Sequence, residues 1–145
     1  MVLTENGYVK IEDLKEGDNI LSPSSDSINI DNETGSYNLN ERSKLERTTI
    51  SEVIVKQEDV VTFNSDDVNS FTKDQPIFSK LGNDFVIKLV SEVKVGDTLV
   101  QINEYGYKSE IVVEQINYST EPVNVYTIKC EPNPWFIVGK YIVQQ

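Results

Sequence analysis

The octet Leu14-Lys15-Glu16-Gly17-Asp18-Asn19-Ile20-Leu21 returns later in the chain as Val93-Lys94-Val95-Gly96-Asp97-Thr98-Leu99-Val100. Both copies read apolar, Lys, x, Gly, Asp, x, apolar, apolar. The glycine of such a turn tolerates positive φ, and the aspartate side chain accepts hydrogen bonds from nearby backbone N–H groups. Because self-similarity reports architecture, the repeat predicts two equivalent strand-and-turn units related by a pseudo-twofold axis. Two unrelated Gly-Asp turns are the alternative.

Short segments rich in Val, Ile, Tyr, Phe and Thr occupy most of the chain, and Gly, Pro and Asn separate them. This pattern is typical of β-strands joined by tight turns and predicts an all-β domain. The predicted strands are 8–11, 19–21, 49–56, 59–63, 77–79, 85–87, 98–103, 107–116, 123–130 and 135–143.

Four segments do not have a strand pattern. Residues 11–14 and 88–93 each predict a single helical turn ahead of a Gly-Asp pair. Residues 22–38 are rich in Ser, Asp and Asn and have no periodicity, which predicts a polar surface loop. Residues 39–47 predict a short helix.

Length, charge and cysteine content narrow the class of protein. We assign residues 1–145 to a single domain. The net charge of −11 repels phosphate backbones, so we expect no nucleic-acid partner. No apolar run approaches the roughly 20 residues of a membrane helix, so we expect no membrane partner. A single cysteine, Cys130, excludes an internal disulfide and favours a reducing compartment such as the cytoplasm.

The sequence gives little support for a metal site or a cofactor site. The chain has no histidine and one thiol, so a zinc site of the usual spacing is excluded. Asp26, Asp31 and Glu33 lie in one polar stretch, but the glycine and the terminal glutamate of a calcium loop are missing there. No glycine pattern of a nucleotide-binding loop occurs. We therefore predict no metal and no cofactor.

Five stretches, in the same order as the family's blocks, resemble a Hint domain, the hedgehog and intein fold. Residues 2–21 resemble its opening block, with Gly7, and residues 71–78, Phe-Thr-Lys-Asp-Gln-Pro-Ile-Phe, resemble its Thr-x-Asp-His-Pro block. Residues 89–100 resemble its Leu-x-x-Gly-Asp block. Residues 125–128 and 135–143 resemble its closing blocks, which normally finish in His-Asn.

The resemblance implies a horseshoe-like all-β fold with pseudo-twofold symmetry and an autocatalytic activity, protein splicing. In an intein the first residue is a Cys or Ser that attacks the preceding carbonyl. The histidine of the second block, helped by its threonine, activates that amide. The penultimate histidine then assists the terminal asparagine, whose side-chain amide attacks the backbone and cuts the chain.

Compared residue by residue, this chain departs from the family pattern at the positions that carry chemistry. Gln75 replaces the second-block histidine, and Gln144 and Gln145 replace the final His-Asn. An amide donates hydrogen bonds but does not exchange a proton near neutral pH. The resemblance places the nucleophile several residues before Val2, upstream of Met1. A terminal glutamine has a cyclisation route through a larger ring, which is slower.

Other positions of the family pattern are kept or altered without a predicted catalytic role. Thr72 and Asp74 survive, and we interpret them as turn residues. Thr127 stands where some inteins carry an internal cysteine, three residues before Cys130. Cys130 is predicted to pack inward as a small apolar residue, and Trp135 as a core aromatic.

Three functions are compatible with the sequence, and the third is an unrelated all-β binding domain. The first is a splicing-inactive Hint domain, not an enzyme, that acts as a structural or protein-interaction module with a protein partner. The acidic, Asn- and Ser-rich composition is compatible with a phage or viral assembly, which places it in a virion. The second is a partial, split or deliberately inactivated intein, whose partner is a complementary N-terminal segment carrying the nucleophile.

Overall fold

A computed structural model describes residues 1–30 and 35–145, which form sixteen β-strands and two 3-10 helices. The prediction of an all-β fold is confirmed. The strands are β1 (Val2–Thr4), β2 (Gly7–Val9), β3 (Asn19–Pro23), β4 (Ile28–Ile30), β5 (Tyr37–Leu39), β6 (Leu45–Glu58), β7 (Val60–Phe63), β8 (Phe71–Thr72), β9 (Pro76–Leu81), β10 (Asp84–Leu89), β11 (Thr98–Ile102), β12 (Lys108–Val112), β13 (Ile116–Tyr118), β14 (Val123–Glu131), β15 (Trp135–Val138) and β16 (Tyr141–Gln144). The 3-10 helices are Ile11–Asp13 and Val90–Glu92, where single helical turns are predicted.

The described strands pair antiparallel in three open sheets. The largest runs β2-β1-β15-β16-β11-β9-β10-β5-β4, with β12 added on β11. The second is β13-β7-β8, and the third is β14-β6-β3. The long strand β6 pairs with β3 through its first residues and with β14 from Thr49 onward.

The two octets fold into the same turn. Gly17 and Gly96 lie at φ 92° and 97°. The Gly17 N–H donates to the Ile50 carbonyl at 2.8 Å, and the Gly96 N–H donates to the Val113 carbonyl at 2.8 Å. In return the Ile50 N–H donates to the Asp18 carbonyl, and the Val113 N–H donates to the Asp97 carbonyl. The repeat is therefore a structural one, and two unrelated Gly-Asp turns are excluded.

The aspartates of the two octets play the same part in their turns. Asp18 Oδ2 accepts the Lys15 N–H at 3.0 Å, and Asp97 Oδ2 accepts the Lys94 N–H at 2.9 Å. Asp97 also accepts the Lys88 ammonium at 3.1 Å. Each aspartate thus satisfies a backbone donor that the tight turn leaves without a strand partner.

Two equivalent apolar positions of each repeat lie in one core. The side chains of Leu14, Ile20, Val93 and Leu99 are 8% exposed or less and pack in the same cluster. A second cluster lies under the other face of the large sheet. It consists of Leu3, Ile28, Leu39, Phe78, Val100, Ile102, Trp135, Ile137 and Ile142. Trp135 stacks edge-on against Tyr37 and Phe78, so its prediction as a core aromatic is confirmed.

The prediction of a polar surface loop over 22–38 needs correction. The segment contains the end of β3, all of β4 and part of β5, while residues 31–34 lie outside the described residues. Ser22, Ser24 and Ser27 are 2% exposed or less. The Ser24 and Ser27 hydroxyls lie 2.8 Å apart and bond each other, and Ser27 Oγ accepts the Lys44 N–H. Short polar side chains are buried here because they satisfy one another, which composition does not reveal.

Three other boundaries differ from the sequence pattern. Residues 135–143 form a hairpin, β15 and β16, because Gly139 at φ 62° turns the chain. Residues 107–116 are divided between β12 and the start of β13. The helix predicted over 39–47 is wrong, since β5 ends at Leu39 and β6 begins at Leu45.

Gly17→Val and Gly96→Val are expected to destabilise the fold. No neighbouring atom lies within 4 Å of a Cβ built at either glycine, so the cost comes from the backbone alone. A β-branched residue at positive φ costs at least about 1–2 kcal/mol, or roughly 2–8 °C in Tm. Thermal unfolding of the two single variants measures it.

Glu16→Val is the matched control, because the second octet already carries Val95 at that position. Its melting temperature should stay close to that of the parent chain. Unchanged midpoints for both glycine variants would contradict the shared turn geometry.

Candidate functional site

Several predicted site residues line one pocket, of about 110 Å³, between β8, β14 and β15. Thr72, Gln75 and Thr127 all lie on its wall beside Met1. The other lining residues are Ile11, Val68, Asn69, Ser70, Phe71, Asn124, Val125, Tyr126, Phe136 and Val138. We call this the Gln75 pocket. It is built from segments far apart in sequence, which the sheet pairings bring together.

Gln75 lies in the turn between β8 and β9, where its backbone is held at both ends. Its N–H donates to the Thr72 carbonyl at 3.2 Å, and its carbonyl accepts the Val90 N–H at 2.9 Å. The side-chain Nε2 donates to the Gln144 carbonyl at 2.7 Å and to the Pro76 carbonyl at 3.1 Å. The structure thus joins two positions of the family pattern that are 69 residues apart.

Thr72 and Asp74 form a small turn of their own. The Thr72 hydroxyl donates to Asp74 Oδ1 at 2.8 Å. Thr72 is partly buried on the wall of the Gln75 pocket, whereas Asp74 is exposed and lies outside the residues that line it. The pair therefore shapes the turn that carries Gln75.

Gln145 does not line the Gln75 pocket but binds the neighbouring strand β14. Its N–H donates to the Pro134 carbonyl at 2.9 Å. Its side-chain Nε2 donates to the Cys130 carbonyl at 2.9 Å, and its Oε1 accepts the Cys130 N–H. One side-chain amide thereby reproduces the reciprocal pair of bonds that a backbone residue makes in an antiparallel ladder.

Cys130 is fully buried, as predicted for a small core residue. Its thiol donates to the Asn133 carbonyl at 3.2 Å. Burial raises the pKa of the Cys130 thiol, and a hydrogen bond with Thr48 offsets this only in part. Because the thiolate is the nucleophilic form, these surroundings make Cys130 unreactive.

Asn69 is a residue of the site that sequence reasoning missed. Its Oδ1 accepts a hydrogen bond from the Met1 nitrogen at 2.7 Å, and its Nδ2 donates to Asp66 Oδ2 at 3.0 Å. A Cβ at Gly139 would lie 2.4 Å from Asn69 Nδ2, so a larger residue there would displace the Asn69 side chain. The signal available in the sequence was Asp66-x-x-Asn69, a spacing typical of an aspartate-capped turn.

Residues 1–30 and 35–145 contain neither a cluster suited to a metal ion nor a helix suited to a membrane. Within these residues no three His, Cys, Asp or Glu side chains are grouped so that they could hold a metal ion. No helix among them has the length and apolar content needed to cross a membrane.

A comparison of the whole chain with protein-family models identifies its family. The model described as the pretoxin Hint domain matches residues 1–142. The chain belongs to the pretoxin Hint family. A search of curated proteins found no match.

Several solved structures have the same fold as this chain, and inteins are among them. The pretoxin Hint domain is similar to the bacterial intein-like domain from Clostridium thermocellum, with a TM-score of 0.67 at 24% identity over 100% of this chain and 94% of that one. It is also similar to the TvoVMA intein, with a TM-score of 0.68 at 20% identity over 98% and 92%. The G-1F mutant of Ssp DnaB mini-intein variant M86 gives 0.70 at 12% over 99% and 93%. At these identities the likeness shows the Hint fold alone.

We expect the Cys130 thiol of the folded domain to resist alkylation and disulfide exchange near pH 8. Burial limits access, and the raised pKa lowers the thiolate fraction at that pH. The reaction with a chromogenic disulfide, followed by absorbance, should be at least about a hundredfold slower than that of an unstructured cysteine. The same sample in guanidinium chloride should react at the ordinary rate. Rapid native labelling would contradict the buried placement.

Proposed function

We propose that this pretoxin Hint domain keeps the geometry of protein self-cleavage without its chemistry and serves as a structural or protein-interaction module of a pretoxin. The observation that carries the proposal is the 2.7 Å contact between Gln75 Nε2 and the Gln144 carbonyl. By the intein resemblance, a histidine holds the position of Gln75 and transfers a proton there. A glutamine amide keeps the hydrogen bond but has no proton to exchange near neutral pH.

The side chain of Gln145 supports the same proposal for the terminal cut. Cyclisation requires its Nε2 to attack its own main-chain carbonyl carbon. In the structure both ends of this amide are bound to the Cys130 backbone. The attack therefore costs both hydrogen bonds, each worth about 1 kcal/mol, before the slower six-membered ring begins to close.

The position of the one thiol supports inactivity at the first step. A thioester needs an accessible thiolate, and Cys130 is fully buried with a raised pKa. Cys130 therefore does not supply the nucleophile, and the inactivated-intein alternative requires a complementary N-terminal segment that carries it.

The kind of host protein is part of the proposal. The matching family is described by the word pretoxin, which favours a pretoxin over the phage or viral assembly that composition alone is compatible with. In this role the domain contributes its fold, and its partner is a protein segment rather than a metal, a cofactor or a nucleic acid.

The chain should remain intact when a C-terminal extension is fused after Gln145. Intact-mass spectrometry after prolonged incubation, with and without dithiothreitol, should return one unchanged species, because Gln75 transfers no proton and the Gln145 amide is bound. Release of the extension would show that glutamine cyclisation operates and would favour the partial-intein alternative.

The triple substitution Gln75→His, Gln144→His, Gln145→Asn should restore cleavage at the C-terminal junction of that fusion. The new asparagine Nδ2 attacks its own main-chain carbonyl, the peptide bond to the extension breaks, and the departing amine takes the proton. Mass spectrometry should find the free extension and a chain ending in a succinimide. No ligated product is expected, since no N-terminal nucleophile is supplied.

The matched control is Gln75→His, Gln144→His, Gln145→Ala, which has both histidines and no cyclising side chain. It should stay intact under the same conditions. A folded triple variant that does not release the extension would contradict the assignment of Gln75, Gln144 and Gln145 to the family's catalytic positions.

A further inference from the structure

The turn between β1 and β2 carries an asparagine followed by a glycine, Asn6-Gly7. No other asparagine of the sequence precedes a glycine. Asn6 is exposed, and its side-chain amide has no hydrogen-bond partner within residues 1–30 and 35–145. The turn lies at an edge of the large sheet, because β2 is the edge strand there. Water therefore reaches the Asn6 amide, and no hydrogen bond restrains it.

The backbone of this turn is held in place while the Asn6 side chain is free. The Thr4 hydroxyl accepts the Asn6 N–H at 3.1 Å and donates to the Gly7 carbonyl at 2.7 Å. Gly7 lies at φ 99°, and no atom lies within 4 Å of a Cβ built on it. Because glycine has no Cβ, the Gly7 nitrogen is not shielded by a side chain of its own. The turn thus joins an unrestrained amide to an unhindered backbone nitrogen.

Two other asparagines that precede a small residue are held by the fold. Asn64 and Asn69 are each followed by serine. Asn64 Oδ1 accepts the Glu114 N–H at 2.7 Å, and its Nδ2 donates to the Val112 carbonyl at 3.2 Å. Both polar atoms of the Asn69 amide are bound as well. A reaction at either amide would break these hydrogen bonds, so the folded structure protects both side chains.

We propose that Asn6 is a site of spontaneous deamidation, which converts it to a mixture of aspartate and isoaspartate. The Gly7 backbone nitrogen attacks the Asn6 side-chain carbonyl carbon and closes a succinimide ring. The bond from this carbon to the amide nitrogen breaks, and the amide nitrogen leaves as ammonia with the proton from Gly7. Water then opens the ring, so the net change is the uptake of water and the release of ammonia. This inference is independent of the proposed cleavage inactivity.

The two products differ in the carbonyl at which water opens the ring. Opening at the former side-chain carbonyl gives aspartate with an ordinary main chain. Opening at the main-chain carbonyl gives isoaspartate, in which the peptide bond to Gly7 runs through the former side chain. Either product adds a carboxylate next to Glu5, and isoaspartate also lengthens the main chain of a turn whose backbone is bound by Thr4.

The test is incubation of the whole folded chain near pH 8, followed by peptide mapping with mass spectrometry. The peptide that contains Asn6 should gain about 1 Da and separate into two new species. Enzymatic methylation of isoaspartyl carboxyl groups identifies the isoaspartate form. Hydroxylamine, which opens a succinimide, should cut the chain and release a fragment that begins at Gly7.

Three comparisons separate the effects of sequence and structure. Asn83 is exposed in another two-residue hairpin turn but precedes Asp84, so it should react at least about tenfold more slowly than Asn6. Asn64 should also react at least about tenfold more slowly in the folded chain, and guanidinium chloride should reduce this difference. Asn6→Gln should stay unmodified and resist hydroxylamine, because its cyclisation requires a larger ring.

Three results would overturn the proposal. They are an Asn6 that is modified only after the chain is unfolded, equal rates at Asn6 and Asn83, and hydroxylamine cleavage that persists in Asn6→Gln. A difference between Asn6 and Asn64 that stays constant on unfolding would contradict the protection assigned to hydrogen bonds. The comparisons with Asn83 and Asn64 use the unsubstituted chain, so they do not depend on whether the variant folds.

Discussion

The reciprocal backbone pair at each Gly-Asp turn is the constraint on which the other elements depend. Gly17 and Asp18 exchange hydrogen bonds with Ile50, and Gly96 and Asp97 exchange the same bonds with Val113. Each pair fixes the point at which a strand leaves its turn and the strand that it joins. Ile50 lies in β6, which goes on from there to pair with β14 on the wall of the Gln75 pocket. The positive φ of Gly17 therefore helps to fix where β14 and the pocket wall lie.

The site exists because the chain's distant segments are joined along the large sheet. β16 pairs with β9 through Val143 and Ile77, which lie next to Gln144 and close to Gln75. The bond between the Gln75 side chain and the Gln144 carbonyl is a consequence of that register. Because a slip of one residue would reverse the faces of β16, the buried side chains of this strand specify the site as strictly as its polar groups do.

Local signals in the sequence were sufficient for the architecture and insufficient for several details. Gly17 and Gly96 could be predicted at positive φ because the same turn chemistry occurs twice, and the Hint resemblance assigned Gln75 and Gln144 to blocks of one family pattern. The buried serines of segment 22–38 could not be predicted, since Ser24 and Ser27 satisfy each other and the Lys44 backbone only after folding. The bond between Asn69 and Met1 could not be predicted either, because the two residues are 68 positions apart in sequence and meet only in the folded chain.

The side chains of Gln75 and Gln145 form hydrogen bonds that hold parts of the fold together. The Gln75 amide donates to two carbonyls, and the Gln145 amide completes a ladder pair with Cys130. A side-chain amide carries both a donor and an acceptor at any pH near neutrality. Which hydrogen bonds a histidine imidazole makes depends instead on its tautomer and its charge. The hydrogen bonds of the Gln75 and Gln145 side chains therefore do not change with pH near neutrality. On the proposed function, stability and self-cleavage place different demands on these two positions, and the glutamines meet the demand of stability.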